Sequence, residues 1–304
     1  VTWSEGFGLA NVELGVAVTP LTRFRLGSVS KVLTAAGIGR LVEDGKLDLD
    51  APVQKYLPGY PLKPWPITIR QLAGHIAGVR HYTGTDFAGA LKGAPHFETA
   101  GSALAVFKDD PLIAEPGTRY SYSSYGWNLI AAVIEAAAGE EFLSFMQKSV
   151  FEPIGLRQVA PDHVFEIVPN RTAFYKHDID RKLLNANHVD NSYKWAGGGF
   201  LSNAEDLVRF GLAHLKPGFF QQETLDLLFR SQKLKSGKET GVGIAWRSGI
   251  APDGLRILHH GGSIEGGRAM LMMFPDKGLV VALLSNLRPS FGEEDAIKLG
   301  KMFI

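Results

Sequence analysis

Residues that favour strands gather at the two ends of this chain and thin out in its middle, and this distribution limits the fold more than any single motif does. From Thr2 to Val18, β-friendly residues interspersed with Gly6, Gly8 and Gly15 read as two strands joined by a turn near Asn11. Near the other end, residues 241–248, 255–260, 267–274 and 278–285 are β-rich runs. They are separated by Pro252-Asp253-Gly254, by Gly261-Gly262 and by Pro275-Asp276-Lys277-Gly278. Between the two ends, Pro52, Pro58, Pro61, Pro64 and Pro66 mark an irregular connection, and helical patches are predicted over 67–74, 98–108, 124–138, 140–149, 203–215 and 221–231. The expectation is an α/β (α+β) fold: an antiparallel sheet flanked by helices and built from both termini, with a mainly helical lobe inserted. A prior of about one domain per 150 residues suggests two lobes for 304 residues. Residues 1–48 and 235–304 are assigned to the sheet lobe, and 49–234 to the helical one.

Charge narrows the classes of partner. Lys and Arg total 32 against 31 Asp and Glu, with no long basic run, so neither nucleic acid nor an anionic membrane is implied. No stretch approaches the roughly 20 apolar residues of a transmembrane helix. The first residues, VTWSEGFG, lack the charged start and apolar run of a signal peptide, and the chain begins at Val1, so the compartment stays open. There is no cysteine, which removes disulfides, a thiol nucleophile and cysteine metal sites.

The chemistry begins at Ser28-Val29-Ser30-Lys31. Val32, Leu33, Ala36, Leu41 and Val42 recur at helical spacing from Ser28 until Asp44-Gly45, which reads as a stop. Gly37 and Gly39 each cost such a helix up to about 1 kcal/mol against alanine, which implies close packing. Residues three apart share a helix face, so Lys31 points at the Ser28 hydroxyl. A serine hydroxyl is a weak nucleophile without a base, and a lysine kept neutral by burial can serve as one. Unpaired N–H groups at the helix start can stabilise an oxyanion. The plain alternative is an N-cap serine beside a solvated lysine.

Two further segments supply partners. Pro116-Gly117-Thr118-Arg119-Tyr120-Ser121-Tyr122-Ser123-Ser124 is a Pro-Gly turn followed by alternating Tyr and Ser before an apolar helix, which sets Tyr122 at a loop-to-helix junction. Near a cationic Lys31, its phenol is expected to ionise more easily than the reference value of about 10. Tyr120 is the competing tyrosine, facing the other way if the segment is extended. His259-His260-Gly261-Gly262-Ser263 ends one β-run, and its glycine pair lets a ligand's backbone approach closely and leaves amide N–H groups free. A metal reading of the tandem histidine is disfavoured, because adjacent strand residues point to opposite faces and no carboxylate lies at ligand spacing. Asn170-Arg171-Thr172 matches a glycosylation acceptor, a triplet that arises often by chance.

Together these elements resemble the class C β-lactamase and penicillin-binding serine hydrolase superfamily, which includes D-Ala-D-Ala carboxypeptidases, β-lactamase-type carboxylesterases and LACTB-like proteases. Its S-x-x-K matches Ser28 to Lys31, its Y-x-N matches Tyr122-Ser123-Ser124, and its K-T-G or H-x-G strand matches His259-His260-Gly261. Secondary matches are Gly45 to Asp50, Leu72 to Gly78 and Ala196 to Leu207; Leu72 to Tyr82 is most similar to the LACTB-like branch. Two positions depart from the pattern. Ser124 stands where the family has Asn, and His259-His260 stand for Lys-Thr, so the usual grips on a substrate amide and on a β-lactam carboxylate are altered.

The resemblance implies a β-lactamase/transpeptidase-like fold and a serine acyl hydrolase with no cofactor and no metal. Ser28 would attack a carbonyl, Lys31 and Tyr122 would manage its proton, and His259 would position substrate or steady the tyrosine. The N–H groups of Ser28 and Gly262 would hold the oxyanion, with Ser124, Gly261 and Ser263 lining the substrate site. Small carboxylic esters or peptide-like amides are the expected substrates. The alternatives are a D-Ala-D-Ala carboxypeptidase, a weak β-lactamase, or a penicillin-binding or scaffold protein with little turnover.

Overall fold

Four antiparallel strands form the main sheet, in the spatial order β11-β10-β9-β8, and all four come from the C-terminal part of the chain. The computed structural model describes residues 1–83 and 96–304. In chain order, β1 (Leu9–Asn11) and β2 (Val16–Ala17) form a hairpin, followed by β3 (Phe24–Arg25) and α1 (Ser30–Glu43). The middle carries α2 (Ile69–Ala73), α3 (Tyr125–Ala138), α4 (Phe142–Met146), α5 (Glu152–Ile154), β4 (Ala160–Pro161), β5 (Tyr175–His177), β6 (Leu183–Asn185), α6 (Trp195–Gly198), β7 (Phe200–Ser202), α7 (Ala204–Leu212) and α8 (Gln222–Phe229). The sheet strands β8 (Arg247–Ile250), β9 (Arg256–Ile264), β10 (Gly267–Phe274) and β11 (Leu279–Ser285) precede β12 (Leu287–Arg288) and α9 (Glu293–Lys301).

The mixed, antiparallel architecture agrees with the sequence expectation, but its details differ. The N-terminal hairpin pairs with itself and meets the end of β11 through Asn286, whose amide donates to Leu9 O. Its turn follows Asn11 rather than centring on it. Segment 102–106 is a tight 3₁₀ turn where a helix was expected over 98–108. The middle of the chain also contributes strands: β7 pairs with β3, and β5 runs parallel to β12. The glycine pair Gly261-Gly262 lies inside β9, and the strand continues to Ile264.

β10 explains why its sequence reads as an unbroken apolar run. Ala269, Leu271 and Met273 face one core, together with α1 and the middle helices, whereas Met270, Met272 and Phe274 face a second core under α9. A strand covered on both faces has no polar side to present. The same logic applies to α1, which is buried around its whole circumference. Its glycines are packing positions: a Cβ on Gly37 would lie 2.8 Å from Met146 Sδ, and one on Gly39 would lie 2.9 Å from Phe220 Cε1.

Candidate active site

β3 carries the chain into a 3₁₀ turn, Gly27–Val29, that leads directly into α1 and presents Ser28. Gly27 is left-handed at φ 49°, and a Cβ there would meet Ser263 N at 2.9 Å. From the other side, a Cβ on Gly262 would fall 1.8 Å from Leu26 O and 3.2 Å from Ser28 N. The turn and the strand are therefore pressed together backbone to backbone, which only glycine allows at both positions. Gly262 is thus required in the interior of β9, where it meets this chain's own Leu26 rather than a ligand.

Two groups converge on Ser28. Tyr122 donates its phenolic O–H to Ser28 Oγ at 2.8 Å, and Lys31 Nζ lies 3.2 Å from the same oxygen. Lys31 is fully buried; it also reaches Ser124 Oγ at 3.2 Å and donates to Gly197 O at 2.6 Å. Burial lowers its pKa to about 8, with the Arg247 charge adding to the effect and Tyr82 opposing it. Ser124, shorter than asparagine, still turns its hydroxyl to the amine. α1 is fastened beside the glycine segment: Ser30 Oγ accepts from Phe200 N–H, and Thr34 Oγ1 donates to Ala196 O.

The expectation of an easily ionised Tyr122 is overturned. Burial raises the pKa of its phenol, outweighing its hydrogen bonds to Ser28 and Ser124 and the nearby Arg247 charge. Tyr122 is therefore held as a neutral donor, and Lys31 is the group brought into the working pH range. Tyr120 does face elsewhere, its hydroxyl accepting from Arg247 at 3.3 Å.

The two histidines separate as adjacent strand residues must. Leu258 belongs to the core shared with α1 and Ile257 to the core under α9, so His260 shares the α1 side with Gly262. His260 is buried, and desolvation together with the Lys31 and Arg247 charges keeps it neutral. Its Nδ1 lies 2.8 Å from Gly261 O, which assigns the proton to Nδ1 and leaves Nε2 as an acceptor. His259 Nδ1 instead lies 3.7 Å from the Glu293 carboxylate on α9. The position expected of His259 is thus occupied by His260, for the simple reason of strand parity. Ser263 is exposed, and Gly261 backs onto Met270.

Arg247 is a residue the sequence reading missed. At the start of β8 and opposite His259 in register, it sends its guanidinium to 6.0 Å from the Tyr122 ring centroid. It pairs with no carboxylate among the described residues. Its long side chain, at the start of an edge strand, reaches Tyr120 and Tyr122, and no local motif signals that.

Comparisons with known proteins agree with this geometry. A family model described as Beta-lactamase matches residues 1–300. The chain belongs to the beta-lactamase family. It is a serine hydrolase of the β-lactamase-related type. It is 29% identical to the mitochondrial serine beta-lactamase-like protein LACTB of Bos taurus, over 99% of this chain and 73% of that protein. It is 27% identical to Penicillin-binding protein 4* of Bacillus subtilis (strain 168), over 98% of this chain and 68% of that protein. In fold it is similar to the octameric penicillin-binding protein homologue from Pyrococcus abyssi, with a TM-score of 0.84 at 24% identity over 99% of this chain and 70% of that one.

Proposed function

We propose that this protein hydrolyses small carboxylic esters or peptide-like amides through an acyl-enzyme on Ser28. The observation that carries the reading is the double contact on Ser28 Oγ, with the phenol of Tyr122 at 2.8 Å and the amine of Lys31 at 3.2 Å. Neutral Lys31 takes the hydroxyl proton as Ser28 Oγ bonds to the carbonyl carbon. The oxyanion forms between the N–H groups of Ser28 and Ser263. Antiparallel pairing of Gly262 with Ala269 spends the Gly262 amide on β10, and the Ser263 amide is the one turned to the Ser28 turn. Each donor is worth about 2.7–4 kcal/mol in comparable sites. The proton then passes through Ser124 Oγ and Tyr122 to the leaving group as its bond to the carbonyl carbon breaks. Water repeats the sequence on the acyl-enzyme: it gives one proton to the relay and releases the acid, while Ser28 recovers its own. His260 Nε2 takes over the substrate-side role first assigned to His259.

A short-chain p-nitrophenyl ester tests the proposal. A burst of nitrophenol and an acyl adduct on Ser28, both absent in Ser28→Ala, support it; a folded protein with neither overturns it.

A second reading, a peptidase that recognises a free C-terminal carboxylate, is favoured by Arg247 alone. A half-buried guanidinium without a carboxylate partner among the described residues suits a substrate anion. The D-aminopeptidase of Gluconobacter oxydans (strain 621H), 26% identical over 93% of this chain and 53% of that protein, adds peptide-like amides to the substrates worth testing.

A further inference from the structure

Tyr122 is gripped from both flanks by one residue. His75 is buried, 2% exposed, and sits in the left-handed region at φ 60°, which a non-glycine residue adopts only when its surroundings compel it. That conformation lets it do two things at once. Its carbonyl accepts the N–H of Ser121 at 2.8 Å, and its ring Nδ1 accepts the N–H of Ser123 at 3.2 Å. The residues immediately before and after Tyr122 are thereby fixed to the same anchor. The imidazole also lies against the phenol itself, with centroids 4.2 Å apart and planes tilted by 34°.

A second imidazole continues the pattern. His81 Nδ1 accepts the N–H of Ser124 at 3.1 Å, and its ring meets Tyr122 edge-on at 5.5 Å. Two rings thus hold Tyr122 between them while taking consecutive amide protons from the segment that follows it. We infer that His75 is the positioning residue for Tyr122, acting as a neutral imidazole whose Nδ1 must stay an acceptor for the phenol to reach Ser28. The inference rests on the Ser28 reading above.

The acceptor role has a chemical requirement. An Nδ1 that accepts from Ser123 carries no proton, so the ring hydrogen is on Nε2, a buried atom with no hydrogen-bond partner among the described residues. A proton added to Nδ1 would oppose the Ser123 N–H and eject it. The surroundings resist this: burial first, and then the nearby cationic Lys31 and Arg247, push the His75 pKa well below its ordinary value. Tyr120 and Tyr122 complete the titratable groups around the ring.

Two substitutions that tolerate a left-handed backbone test the inference on the full chain. His75→Gly removes ring and acceptor, while His75→Asn keeps a carbonyl oxygen near the site of Nδ1. With a p-nitrophenyl ester, His75→Gly is expected to slow formation of the Ser28 adduct about 100-fold, the scale of one proton-transfer partner. KM should stay within about threefold, and His75→Asn should recover at least about tenfold of the lost rate. Equal rates in folded His75→Gly and wild type, or a loss confined to KM, overturn the inference. A nitrogen resonance of the His75 ring in the wild-type protein gives an answer that needs no variant to fold. Nδ1 should remain unprotonated from about pH 5 to 8, and its protonation anywhere in that window in the folded protein overturns the inference. The adduct in Ser28→Ala keeps the two readings apart. If it persists there, the Ser28 mechanism fails; if it is lost there while His75→Gly is unaffected, only the role of His75 fails.

Discussion

Lys31 Nζ donates to the carbonyl oxygen of Gly197 at 2.6 Å, so one of its hydrogens is committed to the main chain whatever its charge. This tether aims the remaining valences at Ser28 and Ser124, and burial lowers the pKa to about 8. Only the neutral amine can accept the Ser28 proton, so the acylation rate should rise with pH and level off above about 8. Lys31→Ala should lose at least about 100-fold in rate while remaining folded. The linkage sign follows. The unfolded lysine, near 10.5, binds more protons than the folded one, so between about 8 and 10.5 stability should increase with pH as the buried-charge penalty is relieved. Denaturant titrations of wild type against Lys31→Ala at two pH values check this.

Tyr122→Phe keeps the ring between its two histidines and removes only the hydroxyl. The turnover number should fall about 100-fold with little change in KM or melting temperature. Because burial raises the phenol pKa above its usual 10, the wild-type rate should show no descending limb below that value. A pH–rate profile decides it.

Gly262→Ala puts a methyl carbon into Leu26 O. The strand must retreat from the Ser28 turn, at an overpacking cost of about 1–3 kcal/mol. Displacement of the adjoining Ser263 N–H, the strand amide proposed for the oxyanion, should accompany the loss of stability, which thermal unfolding and ester kinetics measure together.

Arg247→Ala should raise KM for substrates ending in a carboxylate far more than for neutral esters. Equal effects on both would remove the argument for a substrate anion.

Asp162 is 3% exposed and holds two arginines, Arg25 at 2.7 Å and Arg171 at 3.2 Å, as well as the amide of Asn191. Arg25 lies on β3, two residues before Gly27, so this cluster anchors the entry to the nucleophile turn. Asp162→Ala leaves buried cations unpaired and should cost about 3–5 kcal/mol of stability in urea unfolding.

What could be read without coordinates was whatever is written at short spacing. Ser28 and Lys31 are three apart, Tyr122 and Ser124 two apart, and helical or strand geometry alone predicts which of them share a face. The errors have a common physical source in contacts between distant segments. Gly261-Gly262 read as a break because a glycine pair usually turns a chain, whereas here Gly262 lets β9 touch Leu26. The Tyr122 phenol seemed easy to ionise because a neighbouring cation is visible in a motif and burial is not. The choice between His259 and His260 needed the identity of the two cores on either side of β9. Arg247 carries no local signature of its place at the site, and His75 lies inside the Leu72–Gly78 match without any sign of its contact with Tyr122.

The fastening of α1 to the glycine segment has a consequence for how the chain becomes active. Lys31 and Gly197 are 166 residues apart, and Lys31 and Ser124 are 93 apart. Contacts of such long range close late, because loop-closure entropy is spent before they can form. A chain still emerging from synthesis, or one whose C-terminal sheet has not docked, holds Ser28 and Lys31 but has neither the carbonyl tether nor the Ser263 amide. Turnover should therefore appear only with these long-range contacts in place, so that its onset during refolding reports the completed site.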